Sequence, residues 1–133
     1  MERDVVTVSP GMTVEEALAI AEGHKARVLV VVKDGGVVGI VTDNDYFYKI
    51  VNPILGIGQP GTRVEIAGGG ESTEMGKIIS ILNKLNLKII TCHVMAPPEV
   101  AKKDIVLHVD TEDVSQLVTE LKGEGFEVSV RKR

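Results

Sequence analysis

Apolar residues fall along this chain in two successive blocks, each mixing a strand period with a helix period. Asp4 to Val8 is short and β-prone, and Ser9-Pro10-Gly11 turns the chain. Val14, Ala17, Leu18 and Ala21 recur at three- and four-residue spacing, which predicts an amphipathic helix. Thr13 fits its N-cap, Glu16 three residues on completes a capping box, and Gly23 is expected to stop it. Arg27 to Val32 reads as a strand whose unbroken run of Val and Leu predicts burial on both faces. Asp34-Gly35-Gly36 is a hairpin signal, and Val37 to Val41 is the returning strand. A helix starts near Asp43 and runs to about Val51, where Asn52-Pro53 ends it.

Residues 53–61 are rich in Gly and Pro and carry no charge, which marks a linker. The pattern then restarts. Val64 and Ile66 alternate with Arg63 and Glu65 as in a half-buried strand. Gly68-Gly69-Gly70 predicts a loop, Ser72 or Thr73 a helix cap, and Met75, Ile78, Ile79, Leu82 and Leu85 the apolar stripe of that helix. Lys88 to Met95 and the alternating Ile105, Leu107 and Val109 predict two further strands. Asp110 or Thr111 is expected to cap a second helix with Val114, Leu117, Val118 and Leu121 on one face. Gly123 and Gly125 end it, and Phe126, Val128 and Val130 form a last strand. The order β-α-β-β-α-β predicts a ferredoxin-like split βαβ unit. The fold class is therefore α+β: a β-α-β-β-α block over 1–52, a linker over 53–61 and a βαββαβ block over 62–133.

Composition narrows the function. A net charge of −4 and a low aromatic content of 3% disfavour nucleic acid, both by bulk electrostatics and for lack of a stacking platform. The single cysteine, Cys92, forbids an internal disulfide and fits a reducing cytoplasm. No apolar run approaches the ~20 residues that span a bilayer, and Met1-Glu2-Arg3-Asp4 lacks the form of a signal peptide.

Chemistry concentrates at Gly39-Ile40-Val41-Thr42-Asp43-Asn44-Asp45, where a strand runs into a helix. A hydroxyl and a carboxylate at a helix start suit a phosphate and the two hydroxyls of a ribose, and equally suit a plain N-cap. This Gly-Ile-Val-Thr-x-x-Asp pattern, with the β-α-β-β-α order around it, resembles a CBS motif, the half-unit of a nucleotide-sensing module. The resemblance assigns Asp45 to ribose and Thr42 to phosphate, places Thr7, Val8, Pro10 and Val28 around the adenine, and puts Arg27 within reach of phosphate. The implied ligand is AMP, ADP or ATP, bound as a regulator rather than as a cofactor. Tyr46, Phe47 and Tyr48 are read as core and interface residues.

The second block resembles an ACT domain, and the pair resembles the C-terminal part of acetoin-utilisation-type CBS–ACT proteins. Members usually carry two CBS motifs; one is read here, and a unit of ~50 residues buries little surface alone. Pairing with a second copy, through both CBS and ACT surfaces, follows as the simplest remedy. The ACT ligand loop falls on Gly69, Gly70, Glu71 and Ser72, where the family's Asp-x-Pro-Gly turn is replaced by Gly70-Glu71-Ser72-Thr73. The glycine run there is expected to leave N–H groups free for an anion.

Other matches carry nothing. Gly56-x-Gly58-x-x-Gly61 follows a helix and precedes a strand, the reverse of a dinucleotide site, and Gly76-Lys77 lacks P-loop spacing. Cys92 and His93 are adjacent on a strand and point to opposite faces, so Cys92 is read as a core residue, the histidines as surface residues, and no metal is expected. No serine stands in a hydrolase pattern and Asp43 and Asp45 do not face each other, so no enzyme is expected. The reading is a cytoplasmic regulatory sensor, homodimeric or larger, that acts on a regulated enzyme. The alternatives are a ligand-free assembly module and amino-acid sensing by the ACT block.

Overall fold

A computed structural model of the chain describes residues 5–133. The chain divides into two compact units, Met1–Pro53 and Ile54–Arg133.

In the first unit, strands β1 (Thr7–Val8), β2 (Val28–Lys33) and β3 (Gly36–Thr42) form one sheet in that order, with β1 parallel and β3 antiparallel to β2. Asp4, expected in the first strand, lies outside the described residues. The hairpin turn is Asp34-Gly35, both at positive φ (53° and 79°), the primed geometry that a two-residue loop needs. Helix α1 (Val14–His24) starts as expected at Thr13, whose hydroxyl accepts from the Glu16 N–H at 3.2 Å. It runs past Gly23. The left-handed residue that ends it is Lys25 (φ 51°), and the Ala26 N–H closes the last turn on the Ala21 carbonyl at 2.8 Å.

Among the described residues of this unit, packing covers one face of the sheet. Val8, Ala21 and Leu29 are buried, with Ala17, Ile20, Val31, Val41 and Tyr46 packed against them. The expectation that β2 is buried on both faces fails: Val28 is 47% exposed, since among the described residues of this unit no helix lies over that face. The second helix also differs. Asp43–Asp45 forms one turn (α2), Tyr46–Val51 is π-helical, and α3 continues over Asn52–Leu55, through the proline. Pro53 has no N–H to place, and the wider turn before it accommodates that.

The second unit holds β4 (Thr62–Ile66), α4 (Ser72–Lys84), β5 (Ile89–Met95), β6 (Asp104–Val109), α5 (Ser115–Gly123) and β7 (Val128–Lys132). The strand order is β5-β6-β4-β7, antiparallel throughout, which is the split βαβ arrangement. Val64 and Ile66 of β4 and Ile105, Leu107 and Val109 of β6 meet Ile78, Ile81 and Leu82 of α4 and Leu117 and Leu121 of α5 in one core. Ile81 takes the place expected of Ile79, which is 39% exposed.

The caps are not the expected ones. Glu71 caps α4 by backbone position alone, because its carboxylate accepts from the Lys103 N–H at 2.9 Å. Val114 caps α5, while Asp113 accepts from the Ser115 N–H and hydroxyl at 3.0 and 2.6 Å. Cys92 is exposed on the edge strand β5, not in the core, and burial of part of its surface pushes its thiol up.

His108 is the reverse case, buried rather than at the surface. Its Nε2 lies 2.9 Å from the Pro60 carbonyl, which can only accept, so Nε2 carries the hydrogen. That contact fastens the Gly/Pro segment onto the sheet. Gly56 and Gly61 lie so near that a Cβ on Gly56 would stand 2.9 Å from the His108 Nδ1, and one on Gly61 would overlap the Val109 carbonyl oxygen.

Two glycines thus predict opposite outcomes. Gly61→Ala adds that overlap at φ 122° and should cost roughly 2–4 kcal/mol. Gly76→Ala, exposed inside α4 with nothing within 4 Å, should stabilise by about 0.5–1 kcal/mol. Urea unfolding of the two variants against the parent checks both signs.

Candidate functional site

The site is built where β2 begins and β3 ends. Pairing aligns Thr42 with Val28 and Ile40 with Val30, after a register shift between Val31 and Val32. Thr7 aligns with Val30 across β1. Thr7, Val28, Val30, Ile40 and Thr42 therefore share the face that no helix covers, while Val8, Leu29, Val31 and Val41 share the packed face.

Thr42 and Asp45 form a reciprocal capping box. The Thr42 N–H and hydroxyl donate to Asp45 Oδ2 at 2.9 and 3.2 Å, and the Asp45 N–H returns to the Thr42 hydroxyl at 3.4 Å. Lys49, one turn on, reaches Asp45 Oδ1 at 2.9 Å. A carboxylate offers about four acceptor positions, and three are taken, so one remains for a ribose hydroxyl. The Thr42 hydroxyl has one hydrogen, held by Asp45. A phosphate oxygen, itself only an acceptor, needs that same hydrogen.

Arg27 stands beside them. Its Nε and Nη2 both lie 2.8 Å from Asp43 Oδ2, and the Asp43 N–H donates to the Arg27 carbonyl at 3.1 Å. The Arg27 guanidinium, through its hydrogen bond, holds the Asp43 carboxyl below the usual carboxylate range. Lys49 does the same for Asp45, with the Thr42 N–H second. Both acids thus stay charged at neutral pH.

A cavity of about 500 Å³ opens beside Arg27 and Val28, lined by Val5, Val6 and Val30 and by His24 and Lys25. That volume is in the range of small-molecule sites. Its lining combines four valines with the basic residues His24, Lys25 and Arg27. The residues assigned to nucleotide do not all gather here. Arg27 and Val28 line the cavity, Thr42 lies across from Val28, and Thr7 lies one strand over. Val8 is buried in the core, and with Pro10 it lines a separate groove that also holds Tyr46 and Ile50. His24, Lys25 and Asp43 were not foreseen. The signal for the first two was their place in a basic run with Arg27 directly before the strand.

In the second unit, the amides of the glycine loop are not free. Gly68 N–H donates to Asp104 Oδ1 at 2.9 Å, Gly69 to the Ile66 carbonyl at 3.1 Å and Gly70 to the Lys103 carbonyl at 2.9 Å. The glycines serve close packing instead: a Cβ on Gly69 would lie 2.6 Å from Ile78 Cδ1, and one on Gly70 2.9 Å from the Asp104 carbonyl. Glu71 is bonded to Lys103, and Ser72 is exposed at the start of α4. Among the described residues no three His, Cys, Asp or Glu side chains gather as metal ligands, and no helix is long and apolar enough to cross a membrane.

Comparison with protein families finds a match to the CBS domain over residues 1–52. CBS domains commonly bind adenine nucleotides in regulatory roles.

The lowered acids fix a pH response. A carboxyl whose folded value lies below its unfolded value, near 4, adds stability above that value and loses it as pH falls through the folded one. Between about pH 5 and about pH 2 the parent should therefore lose stability more steeply than Asp43→Asn/Asp45→Asn, as read from urea midpoints across that range.

Proposed function

We propose that this chain is a regulatory small-molecule-binding protein that senses an adenine nucleotide at the corner formed by Arg27, Val28, Thr42 and Asp45. The observation that carries this reading is the joining of three features in one place. A carboxylate has one acceptor position open, a hydroxyl stands beside it, and Val28, the strand partner of Thr42, lines with Arg27 a cavity of valines and basic residues. Base, ribose and phosphate each find matching chemistry there. The nucleotide acts as a regulator by binding one arrangement of the protein better than another. No group is assigned a catalytic role.

The second unit is read as an ACT domain that serves pairing or signal transmission. Its split βαβ topology supports that reading, and its internally bonded loop amides favour pairing over amino-acid sensing at Gly69, Gly70, Glu71 and Ser72. Self-association is supported by the uncovered face of the first sheet, where Val28 and Ile40 are 47% and 59% exposed. The regulated target is an enzyme, and the setting is the cytoplasm. A ligand-free assembly module is the second reading, favoured by the same exposed face together with Phe47 and Tyr48, which are exposed while Tyr46 packs inward.

Calorimetric titration with AMP, ADP and ATP separates the two. The nucleotide reading predicts saturable binding that Asp45→Ala weakens by about tenfold or more, the size of a lost hydrogen bond to a charged group. Absence of heat with all three at millimolar ligand would leave the assembly reading.

A further inference from the structure

Asp43 belongs to none of the contacts assigned to the nucleotide, yet both of its carboxylate oxygens are engaged. Its Oδ1 accepts from the Asn44 N–H at 3.0 Å and its own N–H donates to the Arg27 carbonyl at 3.1 Å. Its Oδ2 accepts from the Arg27 Nε–H at 2.8 Å, and Nη2 lies at the same distance as an ion-pair contact. Arg27 is the freer partner, with a side chain 83% exposed against 40% for Asp43. A guanidinium has five N–H groups, so its outer edge stays open toward an anion.

We infer that Asp43 is a built-in counter-anion for Arg27 and sets how much negative charge a ligand at this corner must carry. This deepens the nucleotide reading and rests on it. Arg27 walls the cavity in which a phosphate would meet it, alongside Lys25 and His24. A phosphate arriving there finds a guanidinium already offset by a fixed carboxylate. Glu22, which lines a neighbouring cavity with Arg27 and Asp43, adds to the negative side, while Lys49 offsets Asp45. An uncharged ligand is indifferent to this offset. A ligand with more phosphates feels the opposing charge more strongly and gains more when it is removed. The pair is solvated, so the effect is modest, about two- to fivefold for one exposed charge pair.

The test is titration of adenosine, AMP, ADP, ATP and inorganic pyrophosphate into the full chain and into Asp43→Asn. Asparagine removes the charge and keeps one oxygen, which can accept from Arg27 once the contact to the Asn44 N–H is given up. Circular dichroism verifies that the variant is folded. The expected result is unchanged adenosine binding, AMP tighter by about two- to fivefold, and a gain that grows through ADP to ATP. A uniform change across the series, no change or a loss of affinity overturns the inference, since a purely structural role for Asp43 would not grade with ligand charge. Nucleotides that bind both proteins equally would sink the counter-anion and leave the nucleotide reading standing. Pyrophosphate that binds the variant more tightly while no nucleoside compound binds either protein would do the reverse. Pyrophosphate that fails to bind the variant, with no nucleotide bound, removes both.

Discussion

One extra residue in the returning strand of the first hairpin decides what stands at its far end. Near the turn, Lys33 pairs with Gly36 and Val32 with Val37. Carried on unbroken, that register would set Val28 opposite Val41 and Arg27 opposite Thr42. The shift at Val31 moves the pairing on by one, so Val28 meets Thr42 and the Asp43 N–H reaches the Arg27 carbonyl. Because side chains alternate across a strand, the shift also brings Thr42 onto the uncovered face beside Val28. The Arg27–Asp43 pair and the placing of the capping box beside Val28 follow from that displacement.

The second unit depends on a different constraint, close approach of backbone to core. Gly69 and Gly70 let the loop before α4 pass against Ile78, Ile105 and the Asp104 carbonyl, where any side chain would overlap. The loop then turns its own amides inward. His108 works on the other face of the same sheet, reaching Pro60 while Gly56 and Gly61 leave room for its ring. Its Nδ1 is buried without a protein partner among the described residues, so the ring is held by packing and by one hydrogen bond. A glycine run that suggests an anion cradle in sequence is here a packing device.

The element order of both units was legible because hydrophobic spacing reports period directly. Leu117 and Leu121 fall inward as their spacing predicts, and so do Val64 and Ile66. The Asp34-Gly35 turn was legible because few residues accept two positive φ values in succession. Helix ends were not. Lys25 rather than Gly23 takes the left-handed position, and Glu71 and Asp113 are claimed by partners that a linear reading cannot place. The run through Val28 to Val32 looked doubly buried because apolar composition does not say whether a second layer exists to cover it. Thr42 and Asp45 were visible as a motif, but the Arg27–Asp43 pair depends on a bulge, and no residue type announced it.

The most direct test of nucleotide sensing at this corner is a map of backbone amide shifts by nitrogen–proton NMR during addition of AMP to the full chain. The reading predicts saturable shifts concentrated at Lys25 to Val28 and Thr42 to Asp45. Shifts concentrated instead on the Gly68 to Ser72 loop, or none at saturating AMP, would contradict it.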